Sequence, residues 1–475
     1  MSATPEARPK TLWRRLGGWF EDRSHIYEGL LPIVQHPVPK GVNWWYVFGS
    51  ATLAAFILQV ITGVALAMIY VPAPSGAYQS LQFITSSAPL GSLLRGMHFF
   101  GASAMVIMIT AHVLRVFLMG SYKFPREFNW LTGAFLLVLT AAMAFTGQLL
   151  RWDQDAYWGV VVMAEQAGKT PVIGQLVAQL VVAGSTVGGA TLTRFFATHV
   201  FLLPALIFGF VLVHLWLVVF DGISEPPRPG VPVDPATYKQ RYHEILEKDG
   251  EPFFPDAAWR DAVFAVLMFA VIMVLAAIVG APQLGKPADP TIVNADPRPD
   301  WYFLWYFAVL SLIPPVLENF VILSVPVLLG VLVIMVPFVS NRGERHPSRR
   351  PVAVVLVVGM LLGLTVLTIE GYQAPWSPEI QAVQDVAIPP QIEQRATGDA
   401  AQGLQLFRIR GCITCHALGG AGGRKGPDLT TVGSRLTRDQ IIVRILNGGP
   451  NMPAFGGNIS DQELQQLVAF METLR

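Results

Sequence analysis

Four histidines set the terms for this chain. His98 and His112 lie fourteen residues apart on one apolar stretch, and His199 and His214 lie fifteen apart on another. At 3.6 residues per turn both separations come close to four turns, so each stretch, as a helix, presents two imidazoles on one face. At about 1.5 Å per residue the two levels sit roughly 21 Å apart, the scale of one centre near each side of a bilayer. A histidine inside a membrane is costly without a partner or a ligand. Two facing helices of this kind could hold two metal centres, and a pair of bis-histidine haems would occupy all four rings. Four unrelated histidines bonded to neighbouring helices would need no matching spacing.

The composition argues for a polytopic membrane protein. Of 475 residues 52% are hydrophobic and 14% are charged, where a soluble chain has about 25% charged. The net charge of +1 gives no electrostatic case for nucleic acid. Seven spanning helices are expected, at about 46–70, 93–118, 131–150, 196–220, 262–279, 320–339 and 352–367, each near the roughly 20 apolar residues that cross a bilayer. The apolar, Gly- and Ser-rich segment 171–190 reads as short helices on one surface. Residues 12–31 mix Trp13, Trp19, Ile26 and Leu30 with Arg14, Arg15, Glu21, Asp22 and Arg23, which suits a helix on the membrane surface. The first 40 residues show no signal-peptide pattern.

Basic residues gather on alternate connections: Arg14 and Arg15, then Arg115, Lys123 and Arg126, then Arg228, Lys239, Arg241 and Lys248, then Arg342, Arg345, Arg349 and Arg350. Positive charge marks the cytoplasmic side. The N-terminus is therefore expected in the cytoplasm and everything after residue 370 on the exported side. That puts His98 and His199 at the outer level, with His112 and His214 at the inner level.

Both cysteines of the chain fall in Cys412-Ile-Thr-Cys415-His416, so no disulfide framework is implied. This is the sequence of covalent haem attachment, in which two thiols add to the vinyl groups and the next histidine is an axial ligand. A redox dithiol would share the spacing. The polar segment around it is the size of one haem-binding domain, and Met452, 36 residues past His416, offers the thioether usual in cytochromes c. The bland alternative for Met452 is a packing methionine.

On these residues the membrane part, about 25–370, resembles cytochrome b of the quinol-oxidising cytochrome bc and bf complexes. It is nearer the split photosynthetic form, a four-helix cytochrome b plus a three-helix subunit IV, here in one chain. The tail resembles a single-haem class I cytochrome c. Gly49 and Gly63, and again Gly133 and Gly147, are fourteen apart like the histidines, and their missing side chains would let flat haems lie against the backbone. Thr191-Leu-Thr-Arg194-Phe before His199 and His112-Val-Leu-Arg115-Val match family segments. The resemblance places Arg95 and Arg194 near an outer haem and Arg115 near an inner one, as partners for propionates.

The resemblance also implies a quinol-oxidation site made of two outer segments, Trp152-Asp-Gln154-Asp-Ala-Tyr157-Trp158-Gly159 and Pro299-Asp300-Trp301-Tyr302. Asp300 is the expected proton acceptor, Tyr302 a hydrogen-bonding group, aromatic residues such as Trp301, Trp152 and Tyr157 the pocket walls, and Pro299 the first residue of the motif. Three positions depart from the family. Asp300 stands where glutamate is common, and Arg151 stands where proline is common. Val47 occupies the position at which the photosynthetic form has a cysteine for an extra inner haem, so that covalent attachment cannot form and an ordinary inner quinone site is expected.

The expected architecture is all-α: a cytoplasmic surface segment (1–40), a four-helix di-haem domain (41–225), a three-helix domain (226–370), a linker (371–397) and a small helical cytochrome c domain (398–475). The resemblance implies two noncovalent haems b, one covalent haem c, quinol and quinone as substrates, and proton translocation across a bacterial inner membrane. It also implies a Rieske iron–sulfur protein as a separate chain, a c-type cytochrome or terminal oxidase as acceptor, and a homodimeric complex. A di-haem membrane anchor of a dehydrogenase is the alternative, but it predicts neither the Pro-Asp-Trp-Tyr motif nor a fused c domain. A transporter would leave the histidine spacing unexplained, and a haem–copper oxidase lacks its adjacent histidine pair.

Overall fold

The computed structural model describes residues 18–19, 21–25, 31, 34–184, 186–289, 292, 297–373, 386–423, 426–448, 452–456 and 458–475. Most of the expected N-terminal surface helix and much of the linker lie outside them.

The membrane part begins with α1 (Phe48–Ala67), α2 (Gly91–Leu118) and α3 (Glu127–Leu149). Two helices too short to span follow, α4 (Gln154–Gly168) and α5 (Gly174–Val182), and then α6 (Gly189–Asp221). The amphipathic α7 (Tyr238–Asp249) leads to α8 (Ala258–Ile278), the short α9 (Leu304–Leu312), α10 (Pro315–Val339) and α11 (Pro351–Gln373). Seven of these are long and apolar enough to cross a bilayer, and this is a multi-pass membrane protein. Helices satisfy every backbone group internally, which a bilayer demands, and side chains such as Ile61, Phe201 and Leu328 point outward from the bundle.

One span starts earlier than the sequence implied, and one segment on which the sequence made no statement is helical. α6 begins at Gly189 rather than near 196, because Thr191 caps it: the Gly188 N–H donates to Thr191 Oγ1 at 3.0 Å, and Thr191 donates on to the Val182 carbonyl. Residues 154–168 are helical although their start is polar. Asp153 explains it, since its Oδ1 accepts from the Ala156 N–H at 3.0 Å and so satisfies a free N-terminal donor.

α1 packs on α2 and α3 on α6, with Ala51, Ala55, Met105, Leu136 and Ile207 in the shared core. At the face carrying the basic connections, buried polar groups tie the first four spans to the last three. Lys123 Nζ donates to Ser340 Oγ at 3.2 Å, and Asn341 Oδ1 accepts from the Phe124 N–H at 2.7 Å. Trp130 Nε1 donates to the Val333 carbonyl at 2.6 Å, and Arg350 Nη1 donates to the Phe117 carbonyl at 2.6 Å. Arg345 pairs with Glu225 at 2.7 Å. A two-stranded ribbon, β1 (Pro37–Pro39) against β2 (Gly250–Pro252), pairs Val38 with Glu251 on the same side.

The C-terminal domain is a small helical unit of α12 (Asp399–Ile409), α13 (Arg438–Asn447) and α14 (Asp461–Thr473), with a β3 (Ala417–Leu418) and β4 (Ala421–Gly422) hairpin. Phe407 and Phe470 meet at 5.7 Å in its core, and Ser460 and Glu463 form a capping box for α14. Asn458 Nδ2 donates to Asp289 Oδ1 of the membrane part at 3.2 Å.

Candidate functional site

The four histidines come together as two pairs. His98 and His199 face each other with ring centres 6.4 Å apart. Two nitrogens bonding one metal from opposite sides at about 2 Å, with about 1 Å more to each ring centre, span about 6 Å. The separation therefore suits a single iron between them.

The histidines are fourteen positions apart on α2 and fifteen apart on α6. On regular helices the second ring would end about 40° short of the first in one case and about 60° past it in the other. α6 removes the mismatch with a π-helical turn at Thr198–Leu202, around His199 itself. A π turn takes up one extra residue, so fifteen positions behave as fourteen.

Each imidazole lies against one of the predicted glycines. A Cβ on Gly63 would stand 3.2 Å from His98 Cε1, on Gly49 3.1 Å from His112, on Gly133 3.4 Å from His214, and on Gly147 2.6 Å from His199. Three of these glycines follow a threonine whose role the sequence reading missed. Thr62 Oγ1 lies 2.9 Å from His98 Nδ1, Thr146 Oγ1 3.1 Å from His199 Nδ1, and Thr132 Oγ1 2.8 Å from His214 Nδ1. Each hydroxyl also donates back to its own helix, to the carbonyls of Leu58, Ala142 and Phe128. With its proton so used, it accepts from Nδ1–H, and Nε2 keeps its lone pair for a metal. The signal was present as Thr-Gly at 62–63, 132–133 and 146–147; Phe48 breaks the pattern before Gly49.

The arginines divide. Arg115 is buried over the Tyr46 ring at 3.6 Å, and both its Nε and the Tyr46 hydroxyl are buried without a partner. Orphaned donors of this kind suit a propionate. Buried Arg95 donates to Thr85 Oγ1 at 2.9 Å. Arg194 is on the surface and donates to the Leu180 carbonyl at 3.1 Å. Val47 is buried at the start of α1. Among the described residues no three His, Cys, Asp or Glu side chains converge as a protein-only metal site. The donor set fits a macrocycle that brings its own nitrogens.

The segments 152–159 and 298–302 meet. Gln148 Oε1 accepts from the Asp300 N–H at 3.3 Å, Asp155 Oδ1 from the Arg298 N–H at 3.2 Å, and Gln154 Nε2 donates to the Pro287 carbonyl at 3.0 Å. The Tyr302 hydroxyl donates to Asp300 Oδ2 at 2.9 Å; burial and that carboxylate push its pKa well above the ordinary phenol range. Trp301 Nε1 reaches Ser103 Oγ at 3.2 Å, little more than one turn along α2 from His98. Pro299 joins Arg298 to Asp300 in this strap. Trp152 and Tyr157 sit further round, packed with Val187 and Ala288, and Trp152 adopts φ +50°, uncommon for a bulky residue. Gln148, Arg298 and Ser103 had no sequence signal.

In the C-terminal domain Cys412 and Cys415 flank one helical turn, followed by largely buried His416. His416 Nδ1 lies 2.8 Å from the Pro427 carbonyl, which again leaves Nε2 available. Burial pushes the Cys412 thiol up to about 12, and the neighbouring Cys415 adds to the shift. Met452 packs against the same core.

Paired histidines across a helical bundle, with a Cys-x-x-Cys-His domain behind them, define a membrane cytochrome. Residues 33–221 match the family described as cytochrome b/b6/petB, and residues 287–388 match cytochrome b(C-terminal)/b6/petD. Residues 398–471 match cytochrome C oxidase, cbb3-type, subunit III. Cytochrome b6 of Heliobacterium mobile is 41% identical over 210 residues, 44% of this chain and 99% of that protein. Cytochrome b/c1 of Bradyrhizobium diazoefficiens is 32% identical over 356 residues, 73% of this chain and 49% of that protein, so the chain spans about half of it. A solved structure described as hyperthermophilic respiratory Complex III superposes with a TM-score of 0.64 at 27% identity, covering 76% of this chain and 92% of the other. The chain belongs to the cytochrome b/b6 family. With its c-type domain it is an oxidoreductase component of cytochrome bc type, whose b and c domains imply haem b and haem c.

Proposed function

We propose that this chain is the membrane subunit of a quinol:cytochrome c oxidoreductase, with the c domain on the exported side. His98 and His199 would hold the outer haem b and His112 and His214 the inner one, with Arg95, Arg194 and Arg115 near their propionates. Cys412, Cys415, His416 and Met452 would hold haem c. The observation that carries this reading is the strap 298–302, in which the Asp300 N–H donates to Gln148, the Tyr302 hydroxyl holds the Asp300 carboxylate, and Trp301 reaches α2 beside the His98 level.

Quinol oxidation releases two protons and two electrons. Asp300 takes a hydroxyl proton, and Tyr302 holds its carboxylate in place. One electron leaves to a Rieske iron–sulfur partner on a separate chain and the other passes inward. When bound, the haems supply the one-electron carriers that make this division possible. A quinone near the inner level, at an ordinary site beside Val47, takes the inward electrons, and protons are released outward. The domain limits at 225, 370 and 397, a homodimeric complex, and a c-type cytochrome or terminal oxidase as acceptor belong to the same proposal.

Pyridine haemochrome spectra before and after acid–acetone extraction test it, together with quinol-driven cytochrome c reduction by the purified complex. Two extractable haems and one retained haem per chain, with activity, are expected. No extractable haem in an intact chain would remove the four-histidine assignment.

A further inference from the structure

We propose that Asp155 is the outward proton acceptor that relieves Asp300, with Arg151 tuning it; this rests on the quinol-site reading above. Three carboxylates stand together here and they are not equivalent. Asp153 is fully buried and committed: one oxygen caps α4, and the other accepts from the Gly285 N–H at 3.3 Å and faces Arg151 Nε at 3.4 Å. Asp300 is held at two points: its Oδ2 accepts from the Tyr302 hydroxyl, and its backbone N–H donates to Gln148. Asp155 keeps 35% of its side chain exposed.

Asp155 is also tied to the strap. Its Oδ1 takes the Arg298 N–H at 3.2 Å, two residues before Asp300, so the strap that positions one carboxylate also fixes the other. Its Oδ2 lies 3.3 Å from Arg151 Nη2, one helical turn back. The groups facing Asp155 are therefore Arg151, Asp153, Arg298 and Asp300. Burial raises its pKa, Arg151 opposes, and Asp153 and Asp300 add to the rise. A carboxyl raised toward working pH both accepts and releases a proton readily.

The step moves protons only. Asp300, protonated by quinol, passes its proton to the Asp155 carboxylate through water and returns to the anion. Protonated Asp155 loses its attraction to Arg151 and releases the proton to the outer aqueous phase. The side chains return unchanged and no electron moves.

The test uses the whole complex with decyl-ubiquinol and decyl-menaquinol as probes, read as the pH profile of cytochrome c reduction. Asp155→Asn is expected to cut turnover about tenfold and abolish the acid limb of the profile, with b and c haem content unchanged and activity restored by Asp155→Glu. Arg151→Gln, which removes the opposing cation, is expected to move that limb to higher pH. Infrared difference spectra should show a protonated-carboxyl band that titrates in the wild type and is missing in Asp155→Asn. If the wild type oxidises either quinol and Asp155→Asn keeps its pH profile, the relay is wrong and the quinol site stands. If the wild type oxidises neither, the quinol-site reading fails and takes the relay with it.

Discussion

The glycines against the histidines make a graded prediction. Carbon atoms pack at about 3.5–4.0 Å. A Cβ at Gly147 would stand 2.6 Å from His199 Cε1, whereas one at Gly133 would stand 3.4 Å from His214 Cε1. Gly147→Ala must therefore displace its ring by about 1 Å, and Gly133→Ala hardly at all. Both sites are helical, so neither substitution strains the backbone. Overpacking of this kind costs about 1–3 kcal/mol. At 1.4 kcal/mol per tenfold, the outer haem should bind about 5- to 150-fold more weakly in Gly147→Ala. On the proposed ligation the covalent haem c counts the chains, so the ratio of extractable to retained haem after extended detergent washing is the assay. Gly147→Ala should approach one extractable haem per chain and Gly133→Ala should keep two. Equal losses, or full retention in Gly147→Ala, would show that contact with the imidazole does not control the site.

Asp300→Asn should slow quinol oxidation about a hundredfold with all haems in place; unchanged turnover would take Asp300 out of the mechanism. Met452→Ala should leave the b spectra alone but alter the c spectrum and lower its potential, since a Met ligand raises it; an unchanged c spectrum would refute the axial role. Glu225→Gln should destabilise the detergent-solubilised protein by about 3–5 kcal/mol in chemical unfolding, because it strands buried Arg345. Burial raises the Glu225 pKa, but Arg345 and the Tyr238 hydroxyl more than offset it and hold the carboxyl below its ordinary range. The pair's stabilisation is therefore complete above the usual glutamate pKa and should be lost as pH falls through the lower folded value; the variant should show no such loss.

Much of the architecture was legible because a bilayer leaves few choices. Long apolar runs gave the seven spans, and histidine spacing gave the two levels. The spacing alone could not say how fourteen and fifteen residues reach the same registry; that required the π turn at Thr198–Leu202, which no residue type announces. The start of α6 was misplaced because its first turns are polar, and the Thr191 cap works through backbone contacts from Val182 and Gly188. The candidate quinol site shows the same division. Asp300, Trp301 and Tyr302 stood out as a motif, whereas Gln148 and Arg298 became part of it only when the chain brought residues about 150 positions apart into contact.

The polar contacts on the basic face bear on how this chain could be cut. Lys123, Phe124 and Trp130 lie before the connection that leads through α7 to α8, Glu225 lies at its very start, and Ser340, Asn341, Val333 and Arg345 lie after it. Holding the two portions together is therefore not left to the peptide bonds between them. A break after Glu225 and before α7 would sever the covalent link while leaving these contacts to join the pieces. In this protein one polypeptide or two is a matter of synthesis and stoichiometry more than of assembly.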